Sequence, residues 1–307
     1  MYQGFITGCL GDIPLKEKAK WSKDNGFKAL EVSCWPRENE RDYSGSDIDV
    51  ENLDKGKADE IKGFFKEYGL TLSSIAYYDN NLHADHNIRE SINKHSYKCI
   101  DAAQMLGVES VGVFAGRNHT VSLQVNFNEF KEIFTRMTSY AADKGVKIVI
   151  ENCPMVGWQI PGYPGTISFT PELWEEMFDR VPAENFGLNY DPSHLYFQMI
   201  DYIKPIKTFK DKIFHVHAKD AEIFEDNLKY YGIFDKQLDR REGPGFWRYR
   251  LPGLGKVDFK AMIAELESIG YKGAVSIEHE DLLYSGSEAK VKEGLLVSQK
   301  FLSQFIK

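Results

Sequence analysis

Cysteine is scarce in this sequence. Cys9, Cys34, Cys99 and Cys153 are the four in 307 residues, and their spacing matches no zinc-type pair. They read as reduced thiols, so a cytoplasmic location is expected. Basic residues are outnumbered, 38 Lys and Arg against 46 Asp and Glu, for a net charge of -8. A chain of that sign is poorly suited to general phosphate-backbone binding, and no nucleic-acid partner is expected. No apolar run approaches the roughly 20 residues needed to cross a bilayer, and the N-terminus lacks a secretory signal pattern. No membrane partner is expected. Low-complexity stretches and Pro/Gly/Ser-rich linkers are missing too. With 42% hydrophobic residues, enough for a sizeable core, residues 1–307 are expected to form a single domain.

What the chain does have is alternation. Short apolar runs at 5–11, 29–35, 72–78, 110–116, 147–153, 186–191, 213–220 and 274–280 read as buried parallel strands. Helical patterns lie between them at 15–27, 53–69, 88–107, 127–145, 170–181, 197–211 and 257–270, and a last helix covers about 287–305. Gly26, Gly69, Gly107, Gly145 and Gly270 close several helices, and Thr170-Pro171 opens one. Eight strands alternating with eight helices give the α/β fold of a single closed (β/α)8 TIM barrel. A doubly wound open sheet would usually carry a Gly-rich first turn, and "GCLGDIP" at 8–14 is not G-x-G-x-x-G.

In such a barrel the active site lies at the C-terminal strand ends. Four successive strands offer ligand-type groups there. The fifth ends in Glu151, the sixth in Asp191, the seventh carries His215 and His217 on one face with Lys219 continuing it, and the eighth ends in Glu278. A carboxylate inside an apolar strand is costly unless it is paired or bound to a cation. Singly, each has a bland explanation: a salt bridge to Lys219 or Arg117, a hydrogen-bonded core histidine, or a turn-shaping Asp before Pro. Together, Glu151, Asp191, His217 and Glu278 would balance one divalent ion.

At these residues the sequence resembles the xylose-isomerase-like TIM-barrel family of sugar isomerases and epimerases. The matching segments are "IENCP" (150–154), "GLNYDPSHL" (187–195), "HVHAKD" (215–220), "LPGLGKVDF" (251–259) and "SIEHED" (276–281). The resemblance implies that Glu151, Asp191, His217 and Glu278 bind one divalent metal and that His194 lies near metal or substrate. The same superfamily holds apurinic endonucleases with three zinc ions and an Asp-x-His pair after the seventh strand. Here 219–235 contain no such pair, although His83 and His119 follow strands three and four.

Three carboxylates and one imidazole form a hard donor set, so Mn is expected first, with Mg, Co or Zn also accommodated. A metal there would polarise a keto sugar and stabilise an enediolate, with Glu151 and Glu278 as the base and acid. His194 and Lys219 are candidates for holding substrate hydroxyls or the developing oxyanion. Arg117 and His119 are candidates at the rim, Arg250 or Arg248 for an anionic group, and Trp35 for a sugar platform. Tyr78, Asn80 and His83 are further rim candidates, and Cys153 is expected to line the pocket. His215 is expected one layer deeper; Asp220 orients a ligand or forms a salt bridge, and Glu280 is a second candidate beside Glu278. The long segment 221–258, with Tyr230, Tyr231, Phe246, Trp247, Arg248, Tyr249 and Arg250, reads as a lid, a binding surface or a homo-oligomer contact. The expected partner is a small carbohydrate. A lyase that dehydrates a keto-inositol or acts on a keto-glycoside uses the same groups. A nuclease and a non-catalytic sugar binder are the remaining alternatives.

Overall fold

The computed structural model describes residues 1–11, 13–36, 45–156, 164–234 and 243–306. Apolar and β-branched runs form the barrel staves β1 (Tyr2–Ile6), β2 (Ala29–Ser33), β3 (Thr71–Asn80), β4 (Ser110–Phe114), β5 (Lys147–Glu151), β6 (Phe186–Tyr190) and β7 (Ile213–Ala218). A hairpin follows, β8 (Asp220–Ile223) with β9 (Trp247–Arg250), and β10 (Ala274–Ile277) is the last stave. The barrel closes in the order β1-β10-β7-β6-β5-β4-β3-β2, every neighbour parallel. This is the single (β/α)8 barrel that the alternation predicts.

The helices are α1 (Leu15–Asp24), α2 (Lys55–Tyr68), α3 (His86–Leu106), α4 (Leu123–Ala142) and α5 (Pro171–Arg180). They continue as α6 (Pro192–Phe197), α7 (Lys204–Thr208), α8 (Glu225–Tyr231), α9 (Phe259–Ser268) and α10 (Glu288–Leu302). Gly69 and Gly107 end α2 and α3 in the left-handed conformation, which lets the chain turn back into a strand. Aromatic rings fill the layer between helices and sheet: Trp174 of α5 packs edge-on against Tyr190 and Phe209, and Phe130 stacks on Phe134. Among the described residues no helix is long and apolar enough to cross a membrane.

Three elements differ from the sequence expectation. The first strand stops at Ile6 rather than running to 11, and Thr7–Leu10 form a 3-10 turn. The Thr7 carbonyl accepts from the buried Lys18 ammonium at 3.1 Å, and its hydroxyl accepts from the Ser33 backbone N–H at 3.0 Å; both bend the chain off the ladder. Of the helix expected over 197–211 only the short α7 forms, and α6 lies ahead of it, ending at Phe197. Met199 adopts a φ of 61°, and Pro205, which has no N–H to donate, sits in the first turn of α7. The segment 221–258, expected as one long loop, carries regular structure among its described residues. It contains the β8–β9 hairpin and α8, with residues 235–242 outside the described set.

Candidate metal and substrate site

The parallel register brings polar side chains from adjacent staves to one level. Glu151 is the last residue of β5 and pairs with Asn189 of β6; His217 of β7 pairs with Ser276 of β10. Asp191 follows β6 directly and begins α6, its Oδ1 accepting from the Ser193 N–H at 2.7 Å. Asn152 ties the ends of β5 and β6 together, donating to the Asp191 carbonyl at 2.8 Å and accepting from the Asp191 N–H at 2.7 Å.

Glu151, Asp191, His217 and Glu278 are all buried, and one ligand atom from each lies within 4.8 Å of the others. His217 Nδ1 is 3.1 Å from Glu151 Oε1 and 2.9 Å from Glu278 Oε2. Asp191 Oδ2 is buried with no hydrogen-bond partner and makes only ionic approaches, 3.3 Å to Lys219 Nζ and 3.5 Å to His194 Nε2. A buried carboxylate oxygen left this way is costly, and a cation satisfies it. Three carboxylates and one imidazole nitrogen fit one divalent ion.

Two overlapping trios share these residues, Glu31 with His215 and His217, and Glu151 with Cys153 and His194. The first lies one layer deeper and is already paired: Glu31 Oε1 accepts from the Tyr78 hydroxyl at 2.6 Å, and His215 Nδ1 donates to Asn189 Oδ1 at 3.0 Å. Among the described residues neither His83 nor His119 joins a ligand group.

Electrostatics separate the carboxylates. Burial, then the neighbouring Glu151, pushes Glu278 up to about 7. Burial acts the same way on Glu151, but Lys219, His194 and His217 outweigh it and hold Glu151 well below the usual carboxylate range. Glu31 is held at about 2 against its burial by His217 and His215. Burial opposes charge on His217, yet Glu31 and Glu278 raise it well above an ordinary imidazole. The cluster is rich in negative charge and short of cations.

A cavity of about 140 Å³ opens above this cluster, lined by Trp35, Tyr78, Phe114, Cys153, Lys219 and Tyr249 as well as Glu151, Glu278 and Glu280. The β8–β9 hairpin supplies its roof. Trp247 stacks flat on Phe197 of α6 at 3.8 Å and 3°, and the Tyr249 hydroxyl is 3.1 Å from His194 Nδ1. His194 Nε2 in turn lies 3.1 Å from Glu151 Oε1, so the hairpin is linked to the Glu151 carboxylate through one imidazole.

Of the residues singled out from sequence, Trp35, His194 and Lys219 join this cluster or its walls. Arg250 does not line the cavity. Alternation along β9 sends Tyr249 inward and Arg248 and Arg250 to the other face, where Arg250 bonds Asp281 at 2.8 Å and Glu222 at 2.9 Å and Arg248 also pairs with Glu222. Arg117 is buried and His119 exposed, both outside the cavity lining. The chain turns at Gly116, φ 79°, where a Cβ would stand 1.8 Å from Asn80 Oδ1. Asn80 then clamps the Arg117 backbone, accepting from its N–H and donating to its carbonyl. Asp220 accepts four backbone N–H groups, from Ala221, Gly253, Gly255 and Val257, and so shapes the 251–257 loop.

Sequence reasoning missed Glu31, and named Tyr249 only as one of the aromatics of the 221–258 segment. Glu31 is a carboxylate inside the apolar run "ALEVSCW", the same signal that marked Glu151, but it sits mid-strand instead of at the end.

The sequence profile described as "Xylose isomerase-like TIM barrel" matches residues 19–301. An inosose dehydratase of Lactiplantibacillus plantarum is 23% identical, over 92% of this chain and 94% of its own length. Among solved structures, the D-psicose 3-epimerase of Clostridium cellulolyticum H10 with D-tagatose superposes with a TM-score of 0.74 at 15% identity, covering all of both chains. The IOLI protein with a binding zinc atom superposes with a TM-score of 0.71 at 19% identity, covering 100% of this chain and 98% of that one. At such identities the superpositions establish the fold.

Proposed function

Because the chain belongs to the xylose isomerase-like TIM-barrel family, we propose that it is a divalent-metal-dependent sugar isomerase or epimerase working on a keto sugar through an enediolate. The observation that carries this is the convergence of Glu151, Asp191, His217 and Glu278 within 4.8 Å, with Asp191 Oδ2 making no hydrogen bond and only ionic approaches. These four residues would hold the ion, and a bound divalent ion polarises a carbonyl and lowers the barrier to losing the adjacent proton. Manganese suits the oxygen-rich set best.

The chain's own groups do the rest. Glu151 and Glu278 come from opposite edges of a cluster that spans β5, β6, β7 and β10, so one removes the proton next to the carbonyl and the other returns one. Delivery from two sides epimerises; shuttling by one group isomerises. His194, buried with one nitrogen on Glu151 and the other on the Tyr249 hydroxyl, orients the Glu151 carboxylate and leaves the cavity wall to Tyr249 and Lys219. Trp35, Phe114 and Tyr249 give apolar walls for a sugar face and exclude water. The cavity is well below the roughly 300–1,000 Å³ of sites for drug-sized ligands, which supports a monosaccharide-scale substrate over a nucleic acid.

A lyase reading is favoured by one observation, the full-length similarity to an inosose dehydratase. The two share proton removal and diverge afterwards. The test is a panel of ketoses and inososes incubated in D2O with the Mn2+-loaded protein. Deuterium at the carbon beside the carbonyl, with product mass otherwise unchanged, supports the isomerase or epimerase. Loss of 18 mass units, about one water, supports the lyase. Turnover with neither solvent exchange nor intramolecular hydrogen transfer at that carbon refutes the proton-transfer mechanism, and Glu278→Gln is expected to abolish it.

A further inference from the structure

Lys219 is fully buried, and its ammonium points at the oxygens assigned above to the metal. Nζ lies 2.6 Å from Glu278 Oε2, 3.3 Å from Asp191 Oδ2 and 3.7 Å from Glu151 Oε1. Those are one oxygen from each of the three carboxylate ligands, and two of them are the oxygens facing His217 Nδ1. A divalent ion bonds such oxygens at about 2.0–2.2 Å, so ion and ammonium contend for the same lone pairs. A fourth carboxylate stands outside the ligand set. Glu280 Oε2 is 3.1 Å from Nζ, on the cavity wall, and the Tyr249 ring face is 4.7 Å from Nζ.

Resting on the metal-site reading, we propose that Lys219 is a resident counter-ion exchanged for the metal: its ammonium holds the three ligand carboxylates together until the ion arrives, then withdraws onto Glu280 and Tyr249. The four-carbon stem and compact ammonium of lysine allow that short movement, which a fixed guanidinium fork would not. Three buried carboxylates with no cation repel one another, so the lysine keeps the ligands converged. Its cost is competition, which weakens the apparent affinity for metal by the fraction of protein in which the ammonium occupies the ligands. After withdrawal the ammonium remains at the cavity wall, available to a substrate oxygen.

The test is calorimetric titration of metal-free protein with Mn2+, in wild type, Lys219→Met, Glu280→Gln and the double variant. The exchange predicts about tenfold tighter Mn2+ binding in K219M and several-fold weaker binding in E280Q, because the ammonium has lost its second partner. It also predicts coupling: the E280Q penalty largely disappears in the K219M background. Equal or weaker binding in K219M, or an E280Q penalty of the same size in both backgrounds, overturns the exchange. Should K219M fail to fold without metal, Lys219→Gln is titrated by refolding with Mn2+. Rescue of native circular dichroism supports a counter-ion role, and failure to refold at saturating Mn2+ overturns it. If wild type and every variant fold and none binds Mn2+ or Zn2+, the metal-site reading itself fails.

Discussion

Glu31 Oε2 lies 2.9 Å from His217 Nε2, which leaves His217 Nδ1 facing Glu151 and Glu278. A metal-binding imidazole is commonly oriented in this way, by a carboxylate that accepts from its other nitrogen and fixes the tautomer. Tyr78 and Asn189 complete the support, the Tyr78 hydroxyl donating to Glu31 and Asn189 Nδ2 donating to Tyr78 at 2.6 Å. Glu31→Gln is therefore expected to weaken Mn2+ binding by about 10–100-fold while keeping the fold. Calorimetric titration together with far-UV circular dichroism checks this; unchanged affinity would show that Glu31 plays no part in aiming His217.

His215 is held near pH 4 by burial, although Glu31 acts in the opposite direction. Its native state is neutral, donating from Nδ1 to Asn189. Between about pH 4 and the unfolded value near 6.5 the unfolded chain binds the extra proton, so stability contributed by this residue is complete above 6.5 and falls as pH drops through that window. The contribution lost by pH 4 is roughly 3 kcal/mol for a shift of this size. Urea midpoints at pH 4.5 and 7.5 should converge in His215→Gln relative to wild type. An unchanged pH dependence would place the acid-sensitive group elsewhere.

How far the sequence could be read depends on where each side chain stands. Strand ends were legible because a charged residue closing an apolar run is unusual, and four such ends fall in successive staves. Glu31 carried the same mark, but a mid-strand position one layer below the rim is not where barrel chemistry is sought. Arg117, His119 and Arg250 show the opposite difficulty. Loop direction decides whether such a residue faces the cavity, and that direction follows from the Asn80–Gly116 contact and from alternation in β9, neither visible in residue types. The helix expected over 197–211 failed for a local reason: the chain breaks at Met199, φ 61°, and Pro205 opens the short α7 where its missing N–H costs nothing.

The hairpin over the site is pinned by the Trp247–Phe197 stack. Trp247→Ala is expected to lose about 1–2 kcal/mol of local stability and to free β8 and β9 for proteolysis, while the barrel stays folded. Limited trypsin digestion with mass mapping checks this. Unchanged cleavage would mean that the Arg248 and Arg250 pairs with Glu222 suffice to hold it.

Lys18 is wholly buried and bonds Asp47 Oδ1 at 2.6 Å beneath the Thr7 turn. Lys18→Met leaves Asp47 buried and uncompensated and is expected to destabilise by about 3–5 kcal/mol. Adding Asp47→Asn should return part of that loss, read as urea midpoints. A single variant as stable as wild type would contradict a structural pin there.

The central claim is tested most directly by anomalous diffraction at the manganese edge from crystals grown with Mn2+. The account predicts one peak per chain, about 2.0–2.3 Å from carboxylate oxygens of Glu151, Asp191 and Glu278 and from His217 Nδ1. No peak there, or a peak instead among Glu31, His215 and His217, would contradict it.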